Sequence, residues 1–204
     1  EFVRGAKRDG VAEALVAKLD QDKDGAVTWE EFQAFEEQTL AAIKADPALR
    51  GGDINRIIAL VDGRIMPNVN FQRMTASAVG PAWRQATPEQ QKRLQEEFKM
   101  LLMRSYSGAL SQLKDNYIIA VKPLRGAVTE NEVVVRTEIR GGSEPVPLDY
   151  RLEKSADSNA GWRIYNFNIL GIWMVDNYRS QFSEEIKAKG IDGLIATLSE
   201  RNKS

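Results

Sequence analysis

An acidic stretch near the start of the chain has the residue types and the spacing of an EF-hand calcium loop. Asp20, Asp22 and Asp24 place carboxylates at loop positions 1, 3 and 5, and Gly25 allows the sharp turn at position 6. Calcium prefers hard oxygen ligands of this kind. The predicted ligands are Asp20, Asp22, Asp24, the carbonyl of Ala26, Thr28 through a water molecule, and a bidentate Glu31.

The sequence contains one such loop, although EF-hands usually work in pairs. A single loop predicts weak calcium binding and a role in fixing the angle between its two flanking helices. The alternative is an acidic, solvated helix–turn–helix without a bound ion. We assign this EF-hand-like unit to residues 1–36 and a larger unit to residues 37–204.

The residue types available for other chemistry are restricted. The chain of 204 residues contains no Cys and no His. The first absence excludes thiolate nucleophiles and thiolate metal sites, and the second removes the usual general base near neutral pH. With 28 basic and 29 acidic residues the net charge is −1, which provides no attraction for nucleic acid. These features favour a binding protein over an enzyme.

The hydrophobic pattern of the first half is helical. Apolar residues recur at helical spacing over residues 11–19, 29–44, 54–66, 70–79 and 88–113. Two of these segments have clear start signals, which are an N-cap at Asp53 and a capping box formed by Thr87 and Gln90.

The pattern changes to a period of two in the second half. Turn-forming clusters separate four such segments, which predict an antiparallel four-stranded meander. The predicted strands are Tyr117–Pro123, Glu132–Arg140, Val146–Lys154 and Trp162–Leu170.

A final helix is predicted from about Trp173, with a break at Gly190. Helices, a sheet and a closing helix indicate the α+β class. Because no apolar run approaches ~20 residues, no transmembrane segment is expected.

Three stretches carry a family resemblance. They are residues 71–90 (FQRMTASAVGPAWRQATPEQ), 102–110 (LMRSYSGAL) and 176–182 (DNYRSQF). In their order and spacing they resemble the MlaC-type periplasmic phospholipid-binding proteins, also called the toluene-tolerance family. The resemblance covers roughly residues 37–204.

The resemblance implies a curved antiparallel sheet packed against several helices, related to NTF2-like cones, with an apolar pocket between the layers. It also implies a periplasmic, non-enzymatic carrier of phospholipid, which we expect to be a monomer. Its partners would be an outer-membrane lipoprotein complex and an inner-membrane ABC transporter complex, between which lipid moves to keep the outer membrane asymmetric. Leu170 stands where family members often carry an acidic residue, which makes the local surface more apolar.

The residues expected to line the pocket are apolar residues of the predicted elements. The helices contribute Ile58, Val61, Ile65, Phe71, Met74, Val79, Trp83, Phe98, Leu102 and Tyr106. The strands contribute Ile118, Val133, Val135, Ile139, Tyr150, Leu152, Ile164 and Phe167. A filled core uses the same residue types, so the pocket follows from the resemblance and not from periodicity.

Two other functions stay open. An NTF2-like enzyme for a small apolar substrate would need a buried Asp and Tyr, for which Asp149 and Tyr150 are the first candidates. Neighbouring residues of a strand point to opposite faces, however, which argues against this pair. The other alternative is a calcium-dependent interaction module, which would need a second EF-like partner or a groove exposed by calcium.

Overall fold

The structure of this chain is a computed structural model that describes residues 29–110, 112–122, 131–155 and 162–203. The described helices are α1 (Trp29–Ala45), α2 (Pro47–Arg50), α3 (Ile54–Leu60), α4 (Phe71–Val79), α5 (Pro88–Leu110) and α6 (Met174–Arg201). A π-helical turn (Val61–Ile65) and two 3₁₀ turns (Met66–Asn68 and Gly80–Gln85) connect them. None of these helices combines the length and the hydrophobicity that are needed to cross a membrane.

The predicted calcium loop falls outside the described residues. Of its predicted ligands only the backbone of Glu31 is described, as part of α1. Asp20, Asp22, Asp24, Ala26 and Thr28 precede the first described residue. The helix α1 runs without a break through residue 36, where we assign the boundary between the two units.

The predicted start signals of two helices are confirmed. The carboxylate of Asp53 accepts hydrogen bonds from the backbone N–H groups of Asn55 and Arg56 at the start of α3. Before α5, the N–H of Gln90 donates to Thr87 Oγ1 (3.2 Å), and the N–H of Thr87 donates to Gln90 Oε1 (3.0 Å). These reciprocal bonds form the expected capping box.

The helix predicted over residues 54–66 is shorter than expected. Regular α-helix ends at Leu60, and the chain continues as the π-helical turn and a 3₁₀ turn. Gly63 lowers the helix propensity of this segment, and Pro67 has no N–H to extend the hydrogen-bond ladder. These helix types differ in residues per turn, but the segments are too short for a periodic apolar pattern to distinguish them.

The sheet is an antiparallel meander in which neighbouring strands are also consecutive in sequence. Its strands are β1 (Ile118–Val121), β2 (Glu132–Arg140), β3 (Val146–Lys154), β4 (Trp162–Ile169) and β5 (Ile172–Trp173). The four predicted strands and the α+β class are confirmed. The sequence pattern does not predict β5, which exists because a tight turn folds the chain back on β4 before α6 begins.

A β-bulge in β4 changes which residues face the helices. Two adjacent residues of β3 pair with Ile164 and Asn166, which leaves Tyr165 as the extra residue. Since side chains alternate along a strand, Ile164 and Phe167 would otherwise point to opposite faces. The bulge puts both on the inner face, which we define as the face covered by α1 and α4. The guanidinium of Arg73 lies 3.7 Å from the centre of the Tyr165 ring.

Two apolar clusters hold the helices and the sheet together. The larger cluster joins α4, α5 and α6, and in it Phe98 makes edge-to-face contacts with Tyr178 and Phe182, at centroid distances of 5.1 and 5.2 Å. The second cluster lies between α1 and the sheet and contains Phe32 and Phe35. A space between these two clusters is therefore bounded by elements that are firmly packed on their other sides.

The turn between β4 and β5 is strained at one residue. Leu170 has φ 54° and Gly171 has φ 87°, which are the positive values that a two-residue type I′ hairpin loop requires. Glycine adopts this conformation freely, whereas a residue with a Cβ pays roughly 1–2 kcal/mol for it. Leu170 is 66% exposed, so burial of its side chain does not offset this cost.

Replacing Leu170 with asparagine is expected to raise the free energy of unfolding by about 1 kcal/mol. Asparagine tolerates a positive φ, and Asn-Gly is a preferred type I′ pair. Urea denaturation followed by Trp fluorescence measures the change. Ile172→Asn is the control, because Ile172 is also exposed but has no positive φ. A Leu170→Asn variant no more stable than the wild type would contradict the assigned strain.

Candidate functional site

An apolar cavity of about 260 Å³ lies between the inner face of the sheet and the helices that cover it. Helices α1, α3, α4 and α5, the turns after α3, and strands β3 and β4 all contribute to its wall. The lining residues are Ile43, Ile57, Leu60, Val61, Ile65, Met66, Val69, Phe71, Met74, Lys99, Leu102, Met103, Tyr106, Ser107, Tyr150, Ile164, Phe167 and Ile169. Nearly all of the lining surface is apolar, so the cavity suits a hydrocarbon ligand.

One face of α5 forms a continuous wall of the cavity. The lining residues Lys99, Leu102, Met103, Tyr106 and Ser107 follow the spacing i, i+3, i+4, i+7 and i+8, which is one side of an α-helix. A polar residue stands at each end of this face, and the residues between them are apolar or aromatic. The opposite side of α5 is fixed in the larger cluster, so this wall has a rigid support.

A second wall comes from α3 and the irregular segment that follows it. Its lining residues are Ile57, Leu60, Val61, Ile65 and Met66. π-helical turns in proteins often occur at functional sites. Asn68 Nδ2 donates to the carbonyl of Arg64 (3.0 Å), and this bond satisfies a backbone group where regular helix is interrupted. This side-chain hydrogen bond therefore stabilises the irregular backbone at the cavity wall.

The sheet supplies the third wall. The bulge at Tyr165 brings Ile164 and Phe167 to this wall together, and the ring of Phe167 lies edge-on to Tyr106 at 6.4 Å. The N–H of Asn70 donates to the carbonyl of Ile164 (2.8 Å), which ties the segment before α4 directly to β4. A backbone contact between distant parts of the chain thus fixes this side of the cavity.

A buried carboxyl group of α1 lies beside Tyr150 in the sheet wall. Glu36 of α1 is 6% exposed and shares a hydrogen bond with Tyr150, whose ring lines the cavity. Burial raises the pKa of Glu36 from its ordinary 4.5 to about 7, against the opposing effect of the Tyr150 hydrogen bond. Burial also raises the pKa of Tyr150 well above its usual value, and the nearby Glu36 raises it further. A ligand in the cavity meets the tyrosine and not the acid.

The rim of the cavity carries charge. Lys99 is the one charged side chain among the described residues that line it, and its ammonium pairs with the carboxylate of Asp62 at 2.8 Å. These side chains are 28% and 46% exposed, whereas Phe71 and Met74 in the wall are buried. Lys99 and Asp62 therefore stand at a solvent-exposed edge of the cavity, which we take as its mouth.

The structure brings together some of the residues predicted to line a pocket. Those that line the cavity are Val61, Ile65, Phe71, Met74, Leu102, Tyr106, Tyr150, Ile164 and Phe167. Those outside it are Ile58, Val79, Trp83, Phe98, Ile118, Val133, Val135, Ile139 and Leu152. Most residues of the second group fill the apolar clusters, and Ile118 is 55% exposed on the edge strand β1.

Sequence reasoning does not identify the other lining residues. They are Ile43, Ile57, Leu60, Met66, Val69, Lys99, Met103, Ser107 and Ile169. Those on α5 carry a usable signal, because they lie at helical spacing from Leu102 and Tyr106. Met66 of the 3₁₀ turn and Ile169 of β4 carry no such signal, because a local irregularity of the backbone sets their direction.

The acid–base pair considered for an enzyme is not assembled in the cavity. Tyr150 lines the cavity, whereas Asp149 is not among its lining residues. Asp149 pairs with Arg136 and Asn168 in the sheet register, so it points to the outer face, as strand alternation predicts.

Comparisons with known proteins find a matching family model and a similar solved structure. Residues 33–200 match the family model described as MlaC protein. A solved structure, the phospholipid-binding protein from Ralstonia solanacearum in complex with a phospholipid, is 41% identical to this chain. The two superimpose with a TM-score of 0.75, which covers 94% of this chain and 97% of the other.

Two further relatives are similar to this chain in sequence. The toluene tolerance protein ttg2D of Pseudomonas putida is 34% identical over 110 residues, which are 53% of this chain and 49% of that protein. The aligned part of this chain thus spans about half the length of that relative. The intermembrane phospholipid transport system binding protein MlaC of Haemophilus influenzae is 21% identical over 169 residues, which are 82% of this chain and 78% of that protein.

Proposed function

The chain belongs to the MlaC family, and on this premise we propose that it is a carrier that holds the acyl chains of a phospholipid in the apolar cavity. The cavity itself carries this proposal, because aliphatic, aromatic and methionine side chains form almost all of its wall. The similarity to a protein solved in complex with a phospholipid supports the choice of ligand.

Carrying an acyl chain requires no catalytic group. Burial of each methylene is worth ~0.8 kcal/mol, so a chain of sixteen carbons represents ~13 kcal/mol of transfer free energy. Leaving a bilayer costs about the same, since the hydrocarbon is moved between two apolar surroundings. The cavity therefore has only to match the bilayer, and loading and release can both run near equilibrium. A chain without Cys and His fits this role.

The cavity is small for its proposed ligand. Its volume of about 260 Å³ lies just under the roughly 300–1,000 Å³ that is usual for small-molecule sites. We infer that the walls move apart when lipid enters. The segment Val61–Asn68 suits this movement, because its π-helical and 3₁₀ turns lack the regular hydrogen-bond ladder of an α-helix.

We place this carrier in the periplasm, between an outer-membrane lipoprotein complex and an inner-membrane ABC transporter complex. Family membership supports this role, as does the name of the Haemophilus influenzae relative, which refers to intermembrane phospholipid transport. Lipid moved along this route would maintain the asymmetry of the outer membrane. A monomer is sufficient, because one chain supplies all the walls of the cavity.

Native mass spectrometry of protein purified without added lipid tests the carrier function. We expect a species heavier than the polypeptide by the mass of a phospholipid, and we expect its fraction to rise after incubation with phosphatidylethanolamine vesicles. Protein that contains no phospholipid and takes up none from the vesicles would refute the proposal.

We also propose that the loop from Asp20 to Glu31 binds calcium, on the strength of its ligand spacing. Native spectra of the same protein at millimolar calcium should show one added calcium ion. The ion should be lost in a variant that combines Asp20→Asn with Glu31→Gln. Spectra that do not change with calcium would remove the metal from the proposal and leave the lipid function unaffected.

A further inference from the structure

We propose that Lys99 and Asp62 form a head-group site at the mouth of the cavity. In this site the ammonium of Lys99 binds the phosphate of the lipid, and the carboxylate of Asp62 binds a head-group ammonium. The inference rests on the proposed lipid-binding function and deepens it, because it names the preferred class of ligand as zwitterionic phospholipids with a cationic amine.

The position of Lys99 suits a phosphate ligand. It begins the lining face of α5, and Leu102 and Met103 follow it one helical turn further along the same wall. An aliphatic stem lets Lys99 cover apolar wall while its ammonium stays at the solvent-exposed rim. Acyl chains packed against Leu102 would bring the lipid phosphate to this ammonium.

Asp62 approaches the same point from a different wall. It belongs to the π-helical turn, in which Val61 and Ile65 line the cavity. The ion pair of 2.8 Å therefore joins two walls across the mouth. An exposed pair of this kind contributes little net stability, so the two charges can exchange partners with a ligand at low cost.

A head group with a phosphate and an ammonium offers the complementary pair of charges. Its phosphate is covalently attached to the buried acyl chains, so its effective concentration at Lys99 is high once the chains are in place. The Lys99 ammonium then donates a charge-assisted hydrogen bond to the lipid phosphate, which replaces its bond to Asp62. A lipid without the amine leaves Asp62 unpaired beside a phosphate, and like charges repel.

Uptake from vesicles that contain dipalmitoyl phosphatidylethanolamine, phosphatidylglycerol or diacylglycerol tests this site, because the three lipids share their acyl chains. Wild-type protein should prefer phosphatidylethanolamine to phosphatidylglycerol. Lys99→Gln should bind phosphatidylethanolamine about tenfold more weakly, which corresponds to about 1.4 kcal/mol, with diacylglycerol binding unchanged. Asp62→Asn should reduce the preference for phosphatidylethanolamine.

Two control variants separate a head-group contact from a structural role. Lys99→Arg keeps the charge and should restore phospholipid binding, and Lys92→Gln changes an exposed lysine of the same helix and should have no effect. The site is overturned if Lys99→Gln leaves phosphatidylethanolamine binding unchanged, or if it weakens phosphatidylethanolamine and diacylglycerol equally. Wild-type protein that takes up none of the three lipids would instead refute the carrier function.

Discussion

A Leu102→Trp variant is expected to lose at least about a hundredfold in phospholipid affinity while it remains folded. Leu102 lies in the middle of the α5 wall, and the larger indole side chain of tryptophan at this position would extend into the cavity. If the ring excludes about four methylenes of the ligand, the loss at ~0.8 kcal/mol each is ~3 kcal/mol, or more than a factor of one hundred.

The fold should tolerate this change because the added atoms enter existing space. Overpacking of a filled core costs about 1–3 kcal/mol, but here about 260 Å³ is free to receive the ring. Lipid uptake from vesicles and urea denaturation measure the two effects separately. Ile118→Trp adds a tryptophan at an exposed position of β1 and serves as the control. A Leu102→Trp protein that loads lipid as the wild type does would show that the acyl chains lie elsewhere.

Ionisation of Glu36 is expected to make the stability of the protein fall as pH rises through neutrality. Burial raises its pKa from 4.5 to about 7, so the folded state holds this proton more tightly than the unfolded state does. The stability that protonated Glu36 contributes is fully present below pH 4.5, declines as pH rises, and is lost above about pH 7. The shift corresponds to about 3 kcal/mol in total.

Glu36→Gln removes this titration and should flatten the pH dependence. The difference in unfolding free energy between the variant and the wild type should change by about 2–3 kcal/mol in favour of the variant from pH 5 to pH 8. Denaturant unfolding at several pH values measures it. Glu37→Gln is the control, since Glu37 is the exposed next residue of α1. Parallel pH profiles of wild type and Glu36→Gln would show that Glu36 does not keep its proton.

The sequence predicts the regular elements well, because their signals are local. Hydrogen bonds between a side chain and a nearby backbone group define the caps at Asp53 and Thr87, and four residues are enough to recognise them. Alternation of apolar side chains likewise predicts β1 to β4, since each strand has one face on the helices. Both kinds of signal need no knowledge of the rest of the chain.

The cavity depends on information that is not local. Phe98 and Leu102 lie on adjacent turns of one helix and both belong to the larger cluster, yet only Leu102 also lines the cavity. Which of them does so depends on the side chains that α4 and α6 place opposite. The bulge at Tyr165 adds a second difficulty, because a single unpaired residue reverses the facing of every later residue of β4. The prediction of a pocket therefore rests on the family resemblance and not on the periodicity of apolar residues.

The meander order of the sheet has a consequence for the order in which the protein folds. Each strand pairs with its neighbour in sequence, so the sheet can assemble by closing short loops at small entropic cost. The bond from Asn70 to Ile164 instead joins segments that are far apart in the chain, so the cavity can be complete only after the sheet exists. A ligand that binds only the complete cavity stabilises this late-forming part selectively, and hydrogen exchange in α3 and α4 should slow more on lipid binding than exchange in β2.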